Sequence, residues 1–114
     1  MSKKVLIIDD DETNCFVFGK ILEKMGYDPT LTYSGISALR KIGSNAYDLI
    51  LIDIRMPIMN GYECSKQITE KLKEKTPAII AITASSPKDC RYINTFINKP
   101  CSRSDIQNAI NDSS

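Results

Sequence analysis

The sequence contains no histidine and no tryptophan, and its four cysteines form no CxxC pair. The lack of histidine excludes Ser-His-Asp and Cys-His catalytic systems within this chain, and it also excludes a histidine-ligated metal site. The dispersed cysteines do not indicate a disulfide framework or a zinc ribbon, so we interpret them as packing residues. Any metal bound here is expected to be a hard, oxygen-ligated ion such as magnesium.

Long hydrophobic runs and an excess of one charge are also missing. No apolar run approaches the roughly 18 residues of a transmembrane helix, and the N-terminus does not resemble a signal peptide. Lys and Arg number 15 against 14 Asp and Glu, so neither nucleic acid nor an anionic membrane is expected as the main partner. The length of 114 residues predicts one domain over 1–114, with its core at about 4–110. Because neither a membrane span nor a signal peptide is predicted, we expect the protein in the cytoplasm.

Short apolar runs alternate with segments of helical period, which is typical of alternating strands and helices. The runs at 5–8, 49–52 and 78–82 are continuously apolar, as expected for parallel strands covered by helices on both faces. Weaker strands are predicted at 30–33 and 95–97. Helices are predicted to begin beside four polar residues, Asp11, Ser34, Asn60 and Ser102. The pattern predicts a doubly wound α/β fold with five parallel strands.

Polar side chains follow four of the predicted strands at the point where each strand ends. Asp9 and Asp10 follow the first strand, Asp53 the third, Thr83 the fourth and Lys99 the fifth. Because ligands bind outside the carboxyl ends of parallel strands, we expect these side chains to form one site.

The charges of this predicted site indicate its chemistry. Two carboxylates about 4 Å apart repel by roughly 4 kcal/mol at an effective dielectric constant of about 20, whereas a whole domain is stable by only about 5–15 kcal/mol. A divalent cation, with Lys99 opposite, would turn this repulsion into attraction. Acids beside a lysine and a hydroxyl suit a magnesium-assisted transfer of a phosphoryl group to a carboxylate.

Four sequence motifs occur in order along the chain: VLIIDDDETN, DLILIDIRMPIMNGYE, AIIAITA and FINKP. Together they resemble the response-regulator receiver domains of two-component phosphorelay signalling, over about residues 4–110. Asn14 is similar to the residue found there in receivers attached to hybrid sensor kinases. The resemblance implies a flavodoxin-like sheet of strand order 2-1-3-4-5. It also implies a signalling domain, not an enzyme, which catalyses only its own phosphorylation and dephosphorylation.

The resemblance also implies a role for each acidic residue. Asp53 would be the phosphoacceptor. The ligands implied for Mg²⁺ or Mn²⁺ are Asp9, Asp10, Asp53 and the backbone carbonyl of Arg55.

By the same resemblance, Thr83 and Lys99 would bind the phosphoryl oxygens, and Thr83 and Phe96 would switch conformation on phosphorylation. The phosphoryl donor must be external because the chain has no histidine. The implied donor is a histidine kinase or a histidine phosphotransfer protein.

Residues 84–98 depart from the family because this segment is several residues shorter than in most receivers. The fourth helix is therefore expected to be shortened or missing. This leaves open an alternative function, a protein-interaction module that keeps the acidic pocket but does not switch. A phosphatase of the haloacid dehalogenase type fits less well, since it needs a second acid two residues after Asp53, where this chain has Arg55.

Overall fold

The computed structural model describes residues 3–84 and 87–113. Its strands are β1 (Lys3–Ile8), β2 (Tyr27–Thr32), β3 (Leu49–Asp53), β4 (Ala78–Thr83) and β5 (Thr95–Asn98). Its α-helices are α1 (Glu12–Lys24), α2 (Gly35–Ser44), α3 (Gly61–Leu72) and α4 (Arg103–Ser113), and a 3₁₀ turn covers Lys73–Lys75. The strands are all parallel in the order β2-β1-β3-β4-β5, which confirms the predicted fold class.

The core has two halves, one on each face of the sheet. On one face, Leu6, Ile50 and Ile79 pack beneath α2 and α3, and on the other, Ile7 and Leu51 pack beneath α1 and α4. Alternate residues of one strand thus enter different halves, so β1, β3 and β4 need apolar residues at nearly every position. Burial on both faces makes the central strands a rigid support for the residues that follow them.

Side-chain caps fix where the helices begin. The Asp11 carboxylate accepts hydrogen bonds from the backbone N–H groups of Thr13 and Asn14 at the start of α1. Ser102 and Asp105 form a reciprocal pair at the start of α4, in which each side chain accepts a hydrogen bond from the other residue's backbone N–H. Such caps stabilise a helix by about 1 kcal/mol each. No helix in the described ranges is both long and apolar enough to cross a membrane.

Strand β2 begins at Tyr27, three residues before the predicted start at residue 30. The sequence Tyr27-Asp28-Pro29 resembles a turn because Asp and Pro are poor strand formers. β2 lies at the edge of the sheet, where one side of the backbone has no neighbouring strand and a proline is tolerated. The position of the strand in the sheet therefore outweighs its local propensity.

The described residues between β4 and β5, Ala84 and 87–94, contain turns and no helix. Ile93 is buried there and Cys90 packs on the same half of the core as α3. The Asn94 backbone N–H donates to the Ile79 carbonyl at 2.9 Å, and the Asn94 side-chain oxygen accepts the Ile79 N–H at 2.8 Å. The segment 87–94 therefore covers this part of the sheet without helical structure.

Candidate functional site

The structure brings the five predicted polar residues to one edge of the sheet. Because β1, β3 and β4 are adjacent and parallel, Asp9, Asp53 and Thr83 lie side by side at their carboxyl ends. Carboxylate oxygens of Asp9, Asp10 and Asp53 all lie within 4.8 Å of one another. The Lys99 backbone N–H donates to the Thr83 carbonyl at 2.8 Å, which places Lys99 beside the end of β4.

The three acids differ in their exposure to solvent. Asp9 is 2% exposed and Asp53 is 7% exposed, whereas Asp10 is exposed. The Lys99 ammonium lies 3.4 Å from Asp53 Oδ1 and 3.9 Å from Asp9 Oδ2. Lys99 thus lies close to two of the three carboxylates, so the cluster keeps an excess of negative charge where solvent screens its two buried members poorly.

Burial raises the pKa of both buried carboxyls above the ordinary aspartate value. For Asp53 desolvation outweighs the opposing effects of the Lys99 charge and of the Arg55 backbone N–H. For Asp9 desolvation, helped by the Asp53 charge, outweighs the Asp11 N–H bond and the Lys99 charge. The ionised state of this site is therefore disfavoured without further positive charge, and the site is suited to bind a cation.

Backbone contacts hold Asp9 in place from several directions. Its N–H donates to the Thr32 carbonyl at 3.1 Å, and its Oδ1 accepts the Asp11 N–H at 2.9 Å. The Cys15 thiol donates a hydrogen bond to the Asp9 backbone carbonyl at 3.3 Å, and burial raises the pKa of Cys15 to about 12. Cys15, which we interpreted only as a packing residue, is thus a neutral hydrogen-bond donor behind the site, and nothing in its spacing could have indicated that.

The loop that follows Asp53 returns to its own start. The Gly61 N–H donates to the Ile54 carbonyl at 2.8 Å, and buried Met56 fixes the loop to the core. A Cβ at position 61 would lie 2.6 Å from the Asp53 carbonyl oxygen and 2.8 Å from Ile54 Cα. Only glycine fits this approach, and it lets α3 begin directly behind the acid.

The tip of this loop is a tight turn centred on Ile58. The Met59 N–H donates to the Pro57 carbonyl at 2.7 Å, which is the two-residue hydrogen bond of a γ-turn. Ile58 has φ 71° and its side chain is 97% exposed. This conformation was not predicted, because an isoleucine after Met-Pro carries no signal for a positive φ.

Phe96 lies on β5 beside the site, partly buried against the half of the core formed with α3. Its ring centroid is 6.3 Å from that of Tyr62, with an angle of 47° between the ring planes. The Tyr62 hydroxyl accepts the backbone N–H of Lys88 at 2.8 Å. Tyr62, which was not predicted, therefore joins Phe96 to the segment 87–94.

Known protein sequences that are similar to this chain include receiver domains and hybrid histidine kinases. The family model described as "Response regulator receiver domain" matches residues 5–111. Hybrid signal transduction histidine kinase L of Dictyostelium discoideum is 35% identical over an alignment of 119 positions, which covers 94% of this chain and 7% of that protein. The aerobic respiration control sensor protein ArcB of Escherichia coli is 35% identical over 86% of this chain and 13% of its own length. The chain thus spans a small part of each of these relatives.

Solved structures agree with the sequence comparison. The receiver domain of sensor histidine kinase PA1611 from Pseudomonas aeruginosa, with magnesium coordinated in its active-site cleft, is 28% identical with a TM-score of 0.87, and 99% of this chain and 98% of that chain are covered. A CheY-like receiver from Methylobacillus flagellatus has a TM-score of 0.89 over the full length of both chains at 22% identity, which supports the fold. The chain belongs to the response regulator receiver domain family.

Proposed function

We propose that Asp53 accepts a phosphoryl group from a phosphohistidine on another protein, and that phosphorylation changes a surface that partners bind. The observation that carries the proposal is the convergence of Asp9, Asp10 and Asp53 with Lys99 at one edge of the sheet. The donor is a histidine kinase or a histidine phosphotransfer protein, because this chain has no histidine of its own. We place the reaction in the cytoplasm and expect neither nucleic acid nor membrane as a partner.

The environments of the three acids favour Asp53 as the nucleophile. Asp9 is the most buried and its Oδ1 is engaged by the Asp11 N–H, while Asp10 is exposed. Asp53 lies nearest to the Lys99 ammonium, which can neutralise the oxygens of an incoming phosphoryl group. A carboxylate oxygen of Asp53 forms the new P–O bond, the P–N bond of the phosphohistidine breaks, and its electron pair stays on the imidazole nitrogen.

The arrangement of the acids fits a magnesium ion. Their oxygens lie within 4.8 Å of one another, and ligands on opposite sides of Mg²⁺ are about 4 Å apart, so small side-chain rotations suffice. We propose Asp9, Asp10, Asp53 and the Arg55 carbonyl as ligands, with Mn²⁺ as an alternative ion. A metal bound there would offset the negative charge that otherwise repels a phosphoryl donor.

Contacts around Phe96 favour a switching receiver over an interaction module that does not switch. A phosphoryl group adds about −1.5 to −2 charges, which would attract Lys99 and the Thr83 hydroxyl. Phe96 is paired with Ala81 in β4, two residues before Thr83, and packs against Tyr62. Because the Tyr62 hydroxyl holds the Lys88 backbone, movement of Phe96 would be transmitted to the segment 87–94.

Phosphorylation can be tested with acetyl phosphate and magnesium, read by intact-protein mass. We expect the mass of one phosphoryl group on the wild type, no such gain when EDTA is present during the incubation, and none in Asp53→Asn. Asp48→Asn, an exposed acid at the other end of β3, is the matched control and should still be phosphorylated. A gain that survives Asp53→Asn, or no gain in the wild type, would contradict the proposed acceptor.

Switching can be tested by amide NMR spectra with and without beryllium fluoride, a phosphoryl mimic. We expect the mimic to shift amides both at the site and across 87–94. In Tyr62→Phe, which keeps the ring and removes the hydroxyl, the shifts across 87–94 should fall while those at the site persist. If the wild type shows no shift across 87–94, the non-switching alternative is the better account.

A further inference from the structure

Ile58 combines two features that are both unfavourable for an isolated protein. It is a β-branched residue at φ 71°, a conformation in which its side chain crowds the backbone, and such strained residues cost about 1–3 kcal/mol each. Its side chain is also 97% exposed, so burial contributes nothing that could offset the strain.

The γ-turn explains how the side chain is held outward. The Met59 N–H to Pro57 carbonyl hydrogen bond closes the turn around Ile58, and buried Met56 and the Gly61–Ile54 hydrogen bond fix the loop on either side. Because strained residues cluster at functional sites, strain in a loop that is fixed at both ends indicates that the outward position of the Ile58 side chain has a function.

Other exposed apolar residues belong to segments that leave the same edge of the sheet. Among the described residues, the exposed large hydrophobic ones all follow the carboxyl ends of β1, β2 or β3, close to the start of the next helix. We call this set the apolar rim: Phe16, Val17, Tyr33, Ile36 and Ile58. Ile58 is by far its most exposed member, and it follows Asp53 by five residues.

The charges at this edge indicate what occupies the rim. The three carboxylates, Lys99 and the proposed divalent cation together carry no net positive charge, and a phosphohistidine is itself negative, so net electrostatic attraction does not hold a donor against the pocket. A protein that brings its phosphohistidine to Asp53 must approach this edge, and apolar contacts would supply the binding free energy that the charges do not.

We propose that the γ-turn holds Ile58 out of the fold as an apolar contact for the protein that presents the phosphohistidine. The proposal rests on the proposed function of Asp53. It assigns Ile58 to recognition of the donor protein, with no part in the transfer chemistry itself.

The contact can be tested by placing a photo-crosslinking amino acid at position 58 in cells that naturally produce the chain. We expect crosslinking to a protein with an acid-labile phosphohistidine, identified by mass spectrometry. The same amino acid at position 75, an exposed lysine after α3 and so at the opposite edge, should not capture that protein. No crosslink from position 58, or a crosslink only to proteins without phosphohistidine, would overturn the proposal.

Ile58→Asn then separates recognition from chemistry, since asparagine adopts positive φ readily. With the captured donor, we expect phosphotransfer to fall about tenfold, as for the loss of an interface hot spot. Phosphorylation by acetyl phosphate, which presents no protein surface, should stay within about twofold, and the Tm should rise by roughly 4 °C as strain is removed.

The outcomes distinguish this inference from the proposed function. If acetyl phosphate does not modify Asp53 in the wild type, the proposed function fails. If acetyl phosphate modifies Asp53 but Ile58→Asn accepts phosphoryl from the captured donor at the wild-type rate, the Ile58 contact alone is wrong. Lys75→Asn is the matched surface control and should leave both rates unchanged.

Discussion

At the scale of the residue, three aspartates with the same side chain have different properties. Asp10 is solvated, Asp9 is held by backbone groups, and Asp53 faces the Lys99 ammonium at 3.4 Å. Desolvation raises the pKa of Asp9 and of Asp53 despite the nearby lysine. The reactivity proposed for Asp53 thus depends on its neighbours, and the same environment makes it a destabilising residue in the absence of a cation.

Asp53→Asn should therefore stabilise the metal-free protein. The folded state of the wild type binds the Asp53 proton more tightly than the unfolded state, so its stability falls as pH rises from about 4 through the raised pKa and then stays at the lower value. Asparagine stays neutral, so the variant should gain roughly 1–2 kcal/mol at pH 7, a fraction of the Coulomb repulsion between close carboxylates. The gain should vanish near pH 3.

Urea unfolding in EDTA between pH 3 and pH 8 measures this difference. Asp28→Asn, an exposed acid on the edge strand β2, is the control and should change stability by less than about 0.5 kcal/mol. A less stable Asp53→Asn at pH 7 would mean that the ion pair with Lys99 outweighs burial and repulsion together.

The convergence of the site residues was accessible from sequence because Asp9, Asp53 and Thr83 each directly follow a run of buried strand, with Asp10 next to Asp9 and Lys99 next to the end of β5. Asp9, Asp10, Asp53, Thr83 and Lys99 needed only the rule that parallel strands end at one edge. The parts played by Cys15, Ile58 and Tyr62 were not accessible. Cys15 and Tyr62 act through hydrogen bonds to other segments of the chain, and Ile58 through a backbone angle. Neither composition nor hydrophobic periodicity predicts such contacts or angles.

At the scale of the element, the loop from β3 to α3 does not tolerate a larger side chain at Gly61. Its closure depends on Gly61, because a Cβ there would overlap the backbone of Asp53 and Ile54. The predicted cap at Asn60 is present, since its side chain accepts the Glu63 N–H at 2.9 Å. Loop closure and helix start are thus set by two adjacent residues.

Gly61→Ala should destabilise the fold by more than about 2 kcal/mol, since the clash involves backbone atoms that cannot rotate away. The matched control is Gly43→Ala near the end of α2. An added Cβ there meets only the flexible end of Lys71 at 3.0 Å, and alanine favours helix by about 0.5–1 kcal/mol. Chemical denaturation of both variants measures the difference, and equal effects of the two substitutions would disprove the close-approach account.

Every strand and α-helix that the structure describes was predictable from the sequence, with errors at their ends. β2 starts earlier than predicted because an edge position tolerates Pro29. The short segment after β4 was correctly expected to lack room for a full helix. In place of a helix, this part of the sheet is covered by Ile93, Cys90 and the Asn94–Ile79 hydrogen bonds. That covering was not predictable, since these residues show no regular period.

At the scale of the whole molecule, charge is unevenly distributed. The chain has a net charge of +1, yet its site combines three carboxylates with one lysine. The sheet concentrates these acids at one edge because Asp9 and Asp53, although 44 positions apart, lie at the ends of adjacent parallel strands. Since the acids repel one another in the folded state only, a cation bound among them should stabilise the entire domain.

Magnesium should therefore raise the Tm of the wild type. At a concentration 100 times the Kd, the gain is about 2.7 kcal/mol, or a rise of roughly 10 °C for a domain of this size. Asp10→Asn, which replaces an exposed acid of the cluster, should reduce the response and keep the fold. Differential scanning calorimetry measures both, with NaCl at equal ionic strength as the control for screening. An equal rise with NaCl would refute a specific site.

The strained turn at Ile58 also has a consequence for protein engineering. A variant library ranked by thermal stability alone would enrich glycine or asparagine at position 58, since both accept a positive φ and neither exposes a large apolar surface. With the roles proposed for Asp53 and Ile58, such a library would converge on proteins that still react with small phosphodonors but no longer select their donor protein. Directed evolution of this domain therefore needs a screen for pairing with its donor alongside one for heat resistance.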